Sequence, residues 1–293
     1  MRAMGTASGI PVLAAIRAGA ADLTQAGIGE AALLEARLLV AHVLGISKET
    51  LLGHPERELD APAMARLDGL LQRRSCREPM SHLLERREFW SLSLRVTAAT
   101  LDPRPDSETL ISVALDHFRD RNAALRVLDL GTGSGCLLLA VLSEFQNATG
   151  LGVDISEDAL DVAKGNATAL GLDARARFRK SDWGHAVDEK FDLILSNPPY
   201  IPDAEIDRLQ PEIALYENRL ALMGGADGLA CYRQLIPDLF RLLQPFGTVV
   251  LEVGDTQGDM VSKYLRQQGF EGVVTQKDLT GTPRCVVGRV PKP

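Results

Sequence analysis

The sequence predicts an α/β protein in two parts, a small helical bundle and a parallel doubly wound sheet, joined by a β-hairpin. Three observations predict it. From Pro11 to about Arg74 apolar residues recur at helical spacing with no strand signal between them. Residues 87–98 then alternate and are rich in aromatic and β-favouring side chains. After Pro105, strand-like and helix-like runs alternate with short links, the pattern of a sheet covered on both faces.

A chain of 293 residues fits two domains, read here as a helical substrate-docking domain over 1–80, a hairpin linker over 81–105 and an α/β domain over 106–293. In the bundle, Val12, Leu13, Ile16 and Ala20 share one helical face, and Leu33, Leu34, Leu38, Leu39, His42 and Val43 another. Gly27, Gly29, Gly45 and Gly53 punctuate them as helix ends, giving four or five short helices. The hairpin is carried by Glu88-Phe89-Trp90-Ser91-Leu92-Ser93-Leu94-Arg95-Val96. In the α/β domain, strands are expected at Leu125–Leu130, Gly150–Asp154, Phe191–Ser196, Gly247–Val253 and Cys285–Val290, with another ending before Ser181. Helices are expected at Leu137–Phe145, through Ala159, Ala163 and Ala167, and near 228–243 and 256–268. A ligand of such a sheet sits beyond the strand C-terminal ends, at the switch point.

Composition excludes several classes. Hydrophobic residues at 45% and charged residues at 24% are ordinary for a globular chain. No run approaches the ~20 apolar residues that span a bilayer, so no membrane partner is expected. Gly5, Ser8, Gly9 and Pro11 interrupt any signal-peptide core, and a first helix starting near Pro11 is preferred. Cys76, Cys136, Cys231 and Cys285 form no C-x-x-C pair and have no histidine cluster beside them. That spacing suits a reducing cytoplasm and implies neither disulfide framework nor metal. Residues 1–80 hold nine basic and nine acidic side chains, whereas residues 106–293 hold 19 and 27. An acidic domain of that kind is a poor fit to a nucleic-acid backbone. Arg73, Arg74, Arg77, Arg86 and Arg87 make one local basic cluster, read as a docking surface or a solvated helix end.

The first strand of the α/β domain runs into Val127-Leu128-Asp129-Leu130-Gly131-Thr132-Gly133-Ser134-Gly135. Glycines let the chain turn tightly and a ligand lie against the backbone. The third glycine comes one residue too early for the dinucleotide pattern G-x-G-x-x-G. Asp129, on the strand before the turn, suits a cationic ligand better than a pyrophosphate, and S-adenosylmethionine carries an ammonium and a sulfonium. Asp154 ends the second strand, 19 positions beyond Gly135, where an acid can accept from both ribose hydroxyls. Ser181-Asp182-Trp183 follows the third strand, placing an aromatic and polar side chains where an adenine would lie.

The fourth strand leads into Asn197-Pro198-Pro199-Tyr200. Two prolines remove two backbone donors and fix φ, leaving carbonyls with a set direction. Asn197 Oδ1 and the Pro198 carbonyl could each accept one hydrogen of an NH₂ group, with Tyr200 against the flat face of the acceptor. An amide nitrogen is a poor nucleophile because its lone pair is delocalised. Two acceptors orient it and favour the positive charge that develops as the lone pair turns toward a methyl group.

These residues resemble the amino-methyltransferases that carry Asn-Pro-Pro-Tyr, a group with DNA adenine and protein-glutamine members. Three further features are similar to the release-factor glutamine methyltransferases (the PrmC or HemK family): the helical N-terminal domain, the hairpin Arg87–Leu92, and Leu101-Asp102-Pro103-Arg104-Pro105-Asp106-Ser107-Glu108. Later matches lie at Ala221–Leu229, at Leu251-Glu252-Val253-Gly254 with Gln257, and at Lys277-Asp278-Leu279 with Arg284. The resemblance implies a Rossmann-like class I S-adenosylmethionine-dependent methyltransferase acting on the glutamine of the Gly-Gly-Gln loop in class I peptide chain release factors, to give N5-methylglutamine. By the same resemblance Gly131, Thr132, Gly133, Ser134, Gly135, Asp154, Trp183 and Asn197 bind S-adenosylmethionine, Asn197, Pro198, Pro199 and Tyr200 bind glutamine, and Asn197, Pro198 and Tyr200 are catalytic. It implies a cytoplasmic monomer without direct nucleic-acid or metal binding. Glu85 stands where that family has a glycine, Asp102 replaces an apolar residue, Ser107 a threonine, and Asn218 a proline. A ribosomal-protein glutamine methyltransferase and a DNA adenine N6-methyltransferase are the alternatives. The Pro-Arg-Pro stretch argues against the first and the acidic charge against the second.

Overall fold

The computed structural model describes residues 9–292; the reading of a leader at the N-terminus rests partly on residues outside that range. The chain divides into two compact units after Glu85.

The first unit holds α1 (Val12–Gln25), α2 (Ala32–Leu44), α3 (Lys48–Gly53), α4 (Ala61–Ser75) and α5 (Met80–Leu84). Its helices begin and end where local chemistry dictates. Ser47 accepts the Thr50 N–H and Asp60 the Ala63 N–H, so each satisfies a donor at a helix start. Gly45 ends α2 in the left-handed region at φ 64°. Glu85 ends α5 in the same region at φ 49°, a conformation that favours glycine. The core gathers Leu23, Leu39, Leu59 and Leu67, all at most 1% exposed, each worth ~1.5–3 kcal/mol of burial. One feature departs from the all-helical expectation: Ile10–Pro11 (β1) pairs antiparallel with Glu58–Leu59 (β2).

The expected arginine patch is largely neutralised. Arg74 is buried against Glu35 at 2.7 Å, Arg73 pairs with Glu78 at 2.6 Å, and Arg77 donates to the Gly27 carbonyl. In the second unit, Arg87 Nε donates to the Pro103 carbonyl and stands 3.6 Å from Asp102. Arg74 is thus withdrawn from the cluster, while Arg73 and Arg86 stay exposed; long arginine stems reach neighbours that sequence spacing conceals.

The second unit opens with the hairpin β3 (Arg87–Phe89) and β4 (Leu92–Leu94). Trp90 and Ser91, both at positive φ, form its two-residue turn. Then come α6 (Glu108–His117), β5 (Arg126–Leu130), α7 (Cys136–Glu144), β6 (Thr149–Asp154), α8 (Glu157–Ala169), β7 (Ala176–Lys180), β8 (Phe191–Ser196), α9 (Pro211–Ala214), α10 (Ala230–Leu242), β9 (Leu243–Glu252), α11 (Gly258–Gln267), β10 (Glu271–Lys277) and β11 (Pro283–Arg289). The sheet order is β10-β11-β9-β8-β5-β6-β7. From β7 to β9 the strands run parallel. β11 is antiparallel to both β9 and β10, so the sheet is mostly rather than wholly parallel. The strand expectation omitted β10, an edge strand whose residues are mainly exposed and whose register shifts twice.

The order reverses at β5, with β6 on one side and β8 on the other. The C-terminal tips of those strands therefore open onto one crevice. Leu128, Leu130, Leu193, Ile194 and Leu195 are fully buried, as strands covered on both faces require.

Candidate active site

A cavity of about 310 Å³ lies over these strand tips. Its lining includes Gly131, Thr132, Gly133 and Ser134 after β5, Asp154, Ile155 and Ser156 after β6, Ser181, Asp182 and Trp183 after β7, and Asn197 and Pro199 after β8. Leu101, Pro103, Arg104 and Ser107 line it from the segment before α6.

The glycine turn owes its shape to positive φ at Gly131, Gly133 and Gly135, at 72°, 53° and 82°. A Cβ on Gly131 would rest against the Trp183 ring at 3.5 Å, an ordinary contact, so it is the positive φ and not crowding that calls for glycine there. Gly135 does not line the cavity. It precedes α7 against Leu139 and Ala163, where its lack of a side chain lets helix and helix approach.

Asp154 takes the Gly133 N–H on Oδ2 and the Ser156 N–H on Oδ1, both at 2.9 Å. Each oxygen keeps a second lone pair for a ribose hydroxyl. Trp183 is held at φ 48° with its indole N–H on Gln234 Oε1 at 3.1 Å and lines the cavity. Asp129 differs from expectation. It is wholly buried and absent from the lining, and it accepts from the Thr132 hydroxyl at 2.7 Å. Burial pushes its carboxyl up to about 7. It braces the turn from beneath instead of pairing with a cation in the cavity.

On the acceptor side, Asn197 donates through Nδ2 to Ser107 Oγ at 3.2 Å. That leaves Oδ1 without a partner among the described residues and available to accept. Pro199 lines the cavity with it, while Pro198 and Tyr200 stand outside the lining. Tyr200 donates to Glu252 Oε1 at 3.4 Å, and its carbonyl accepts the Gln257 side-chain amide at 2.8 Å. Gly224 and Gly228 press against the Tyr200 backbone, so closely that a Cβ on either would overlap it. The backbone after Asn197 is thus clamped from three distant elements.

Arg104 reaches the cavity while bound to Glu217 at 2.9 Å. Glu217 also accepts the Asp102 N–H, and burial raises its carboxyl to about 7. Asp102, buried beside Arg87 and Arg104, makes the group a four-residue ionic cluster. Cys136 lines the cavity too, but burial pushes its thiol up to about 12, which rules out a thiolate nucleophile at neutral pH. Among the described residues no group of three or more His, Cys, Asp or Glu could hold a metal ion, and no helix is long and apolar enough to cross a membrane.

The sequence reading left out Ser107, Arg104, Gln234, Glu252 and Gln257 as site residues. The stretches that hold four of them served only to mark a resemblance. Nothing in their spacing separates them from the other polar residues beside them, such as Asp106 and Glu108 around Ser107 or Asp255 and Thr256 before Gln257.

Residues 121–281 match the family described as a methyltransferase domain, and residues 14–84 match the PrmC N-terminal domain. The chain is 43% identical to the release factor glutamine methyltransferase of Caulobacter vibrioides, over 91% of this chain and 92% of that one. It is 45% identical to that of Rhodospirillum rubrum, over 92% of this chain and 82% of that one. The chain belongs to the release factor glutamine methyltransferase family. Two solved structures share its fold. A methyltransferase from Pyrococcus furiosus covers 79% of this chain, and the whole of that one is matched, at a TM-score of 0.50 and 19% identity. The hMettl16 catalytic domain matches 79% of this chain and 82% of its own at 0.57 and 17%. As a member of the glutamine methyltransferase family, the chain is an enzyme that uses S-adenosylmethionine. The cavity fits that donor, with carboxylate oxygens for hydroxyls at Asp154, a side-chain-free cradle at Gly131 and an aromatic ring at Trp183.

Proposed function

We propose that this enzyme methylates the side-chain amide nitrogen (N5) of the glutamine in the Gly-Gly-Gln loop of class I peptide chain release factors. The observation that carries this reading is the Asn197 amide. It is tethered through Nδ2 to Ser107, with Oδ1 free, beside the glycine turn in the same cavity. An acceptor there selects a donor such as NH₂, and Pro198 and Pro199 next to it have no backbone N–H to compete.

When bound, S-adenosylmethionine supplies an electrophilic methyl group on sulfur. The residues of this chain act on the amide. Asn197 Oδ1 and the Pro198 carbonyl accept its two hydrogens and turn the nitrogen lone pair out of conjugation. Tyr200 stiffens the tetrad. Gly131–Ser134, Asp154 and Trp183 set the position of the donor, so that orientation contributes most of the rate. Held there, the donor would yield its methyl group to the amide nitrogen and keep the carbon–sulfur electron pair. The methylated nitrogen, now acidic, loses one proton to solvent, so no strong base is needed.

The same reading gives a cytoplasmic monomer whose bundle docks the release factor, with no direct contact to nucleic acid. The test is transfer of tritiated methyl from S-adenosylmethionine to a purified release factor. Label is expected on the native factor and not on one whose loop glutamine is replaced by glutamate. Equal labelling of both, or labelling of DNA or of a ribosomal protein alone, would overturn it.

A further inference from the structure

Three stretches near the cavity have no part in this mechanism: Ala221–Leu229, Leu251–Gly254 and Gln257. They meet at one side chain. Gln257 stands directly before α11 and is 9% exposed. Its Nε2 donates to the Tyr200 carbonyl at 2.8 Å and to the Gly228 carbonyl at 3.1 Å, and its Oε1 accepts the Gly254 N–H at 3.1 Å. Both Nε2 hydrogens are thus used, and the sense of the amide is fixed, because turning it over would set Oε1 against two carbonyls. The neighbouring backbone leaves it room. A Cβ on Gly228 would overlap Nε2 and the Tyr200 carbonyl, and one on Gly254 would stand 3.1 Å from Oε1.

We propose that Gln257 is a positioning residue for methyl transfer, holding the Tyr200 carbonyl so that the Pro198 carbonyl and Asn197 Oδ1 converge on the substrate nitrogen. Pro198 and Pro199 have no N–H, so neither can be tied down as a donor. Among the described residues the Gln257 amide makes the one hydrogen bond to the backbone of Asn197–Tyr200. Proline fixes φ at both middle positions, and the peptide planes are rigid. Between Asn197 and Tyr200 the chain then turns chiefly about ψ of the two prolines, and holding both ends sets where the Pro198 carbonyl points. One end is held at β8, whose last residue Ser196 pairs in register with Leu130 and Leu251, and by the Asn197 side chain on Ser107. The other end is the peptide plane after Tyr200. Its N–H, on Ile201, donates to the Leu222 carbonyl at 3.1 Å, and its carbonyl is taken by Gln257.

Glutamine is suited to all three partners. A lysine there could donate to both carbonyls but could not accept the Gly254 N–H. The Tyr200 and Gly228 carbonyls share one amide. Without it, two acceptors crowd each other with no donor between them. The plane after Tyr200, pinned only by its N–H on Leu222, then rocks, and the Pro198 carbonyl turns with it. Misaimed acceptors still let substrate into the cavity, but they no longer orient the nitrogen lone pair toward the methyl group.

This inference rests on the amide-methylation reading, and the experiment separates the two. Methyl transfer to a purified release factor is followed for the unaltered enzyme, Gln257→Asn, Gln257→Met and Gln257→Glu, each well below its own thermal midpoint. S-adenosylmethionine affinity is measured on each by calorimetry. Absence of transfer by the unaltered enzyme would sink the amide-methylation reading and with it this inference. With transfer present, Gln257→Met, which keeps the length and loses both donors, is expected to lower kcat on the order of 10–100-fold. The KM for the release factor and the cofactor affinity should each stay within about threefold, because neither ligand is bound by the tetrad's aim alone. Gln257→Glu, which sets acceptors against two carbonyls, should lose more than Gln257→Met. Gln257→Asn, one methylene short but still able to donate to one carbonyl, should lose less, and it carries the same split between kcat and affinity if the methionine variant does not fold. Unchanged kcat in the folded variants would overturn the proposal. So would kcat and cofactor affinity that fall together, or an order in which Gln257→Glu loses least.

Discussion

The donor side and the acceptor side of the cavity are built in opposite ways. On the donor side, the binding groups sit on the tips of β5, β6 and β7 and are held mostly from the strand-tip turns themselves: Asp154 by Gly133 of the β5 turn and Ser156 of its own, the glycine turn by Thr132 and Asp129, with Trp183 alone reaching further, to Gln234. On the acceptor side, Asn197–Tyr200 is held by partners far away in sequence, namely Ser107, Glu252, Gln257 and Gly228. Backbone conformation shapes the first; side chains converging from several elements shape the second. A donor common to many reactions can be met by a local loop. An amide that must be oriented and polarised needs support from outside the strand that carries it.

The largest expected break in this contrast is Asn197→Ala. Losing the acceptor should cost on the order of 10²–10³ in kcat, with a much smaller change in S-adenosylmethionine affinity measured by calorimetry. Equal losses in both would mean that the two sides are not separable. Next comes Gly228→Ala. At φ 73° its new Cβ would meet the Tyr200 carbonyl and the Gln257 amide, and a cost of roughly 2–3 kcal/mol is expected from strain and overlap, read by urea unfolding together with a loss of turnover. Gly131→Ala probes the donor side. At φ 72° the strain is ~1–2 kcal/mol, and because the turn faces the cavity it should appear as a roughly tenfold weaker cofactor affinity.

Acidity sharpens the comparison further. Asp129 on the donor side, and Glu217 and Glu252 on the acceptor side, all have carboxyls raised to about 7. A carboxyl whose folded value lies above its unfolded value gives stability that is fully present below the unfolded value and lost as pH rises through the folded one. The cofactor-free enzyme should therefore melt at a higher temperature at pH 6 than at pH 8. The lowered carboxyls of Asp227 and Asp278, near 2, do not act in that window. Glu217→Gln with Glu252→Gln should flatten this dependence more than Asp129→Asn does; a melting temperature that rises from pH 6 to pH 8 would contradict the account. The smallest effect lies in the first unit. Glu85→Gly removes a side chain from φ 49° and should stabilise by about 0.5–1 kcal/mol, detected as a small rise in the urea midpoint.

The same contrast explains what the sequence could disclose. That Gly131–Ser134, Asp154 and Trp183 line one cavity was legible because each follows a strand at a spacing that one helix and one strand dictate; Gly135, expected with them, does not line it. Asn197–Tyr200 was legible because two prolines at a strand tip have little use in folding. The clamp around it was not, since nothing in the spacing of Ser107 or Glu252 says that α6 and β9 bring them to Asn197 and Tyr200. Asp129 misled for a related reason: an acid on a strand reads the same whether it faces a ligand or props up a turn. In the sheet, the exposed and irregular β10 lacked the apolar run that made β5 and β8 plain, and nothing in Cys285–Val290 distinguishes an antiparallel strand from a parallel one. The burial of Arg74 was hidden because its partner, Glu35, lies more than a helix away in the chain.

Tandem mass spectrometry of a release factor treated with this enzyme and S-adenosylmethionine tests the central claim most directly. The account predicts a single added methyl group on the side-chain amide of the Gly-Gly-Gln glutamine, absent when Asn197→Ala enzyme is used. A methyl group on another residue of the factor, or an unmodified factor beside fully active enzyme on a different substrate, would contradict it.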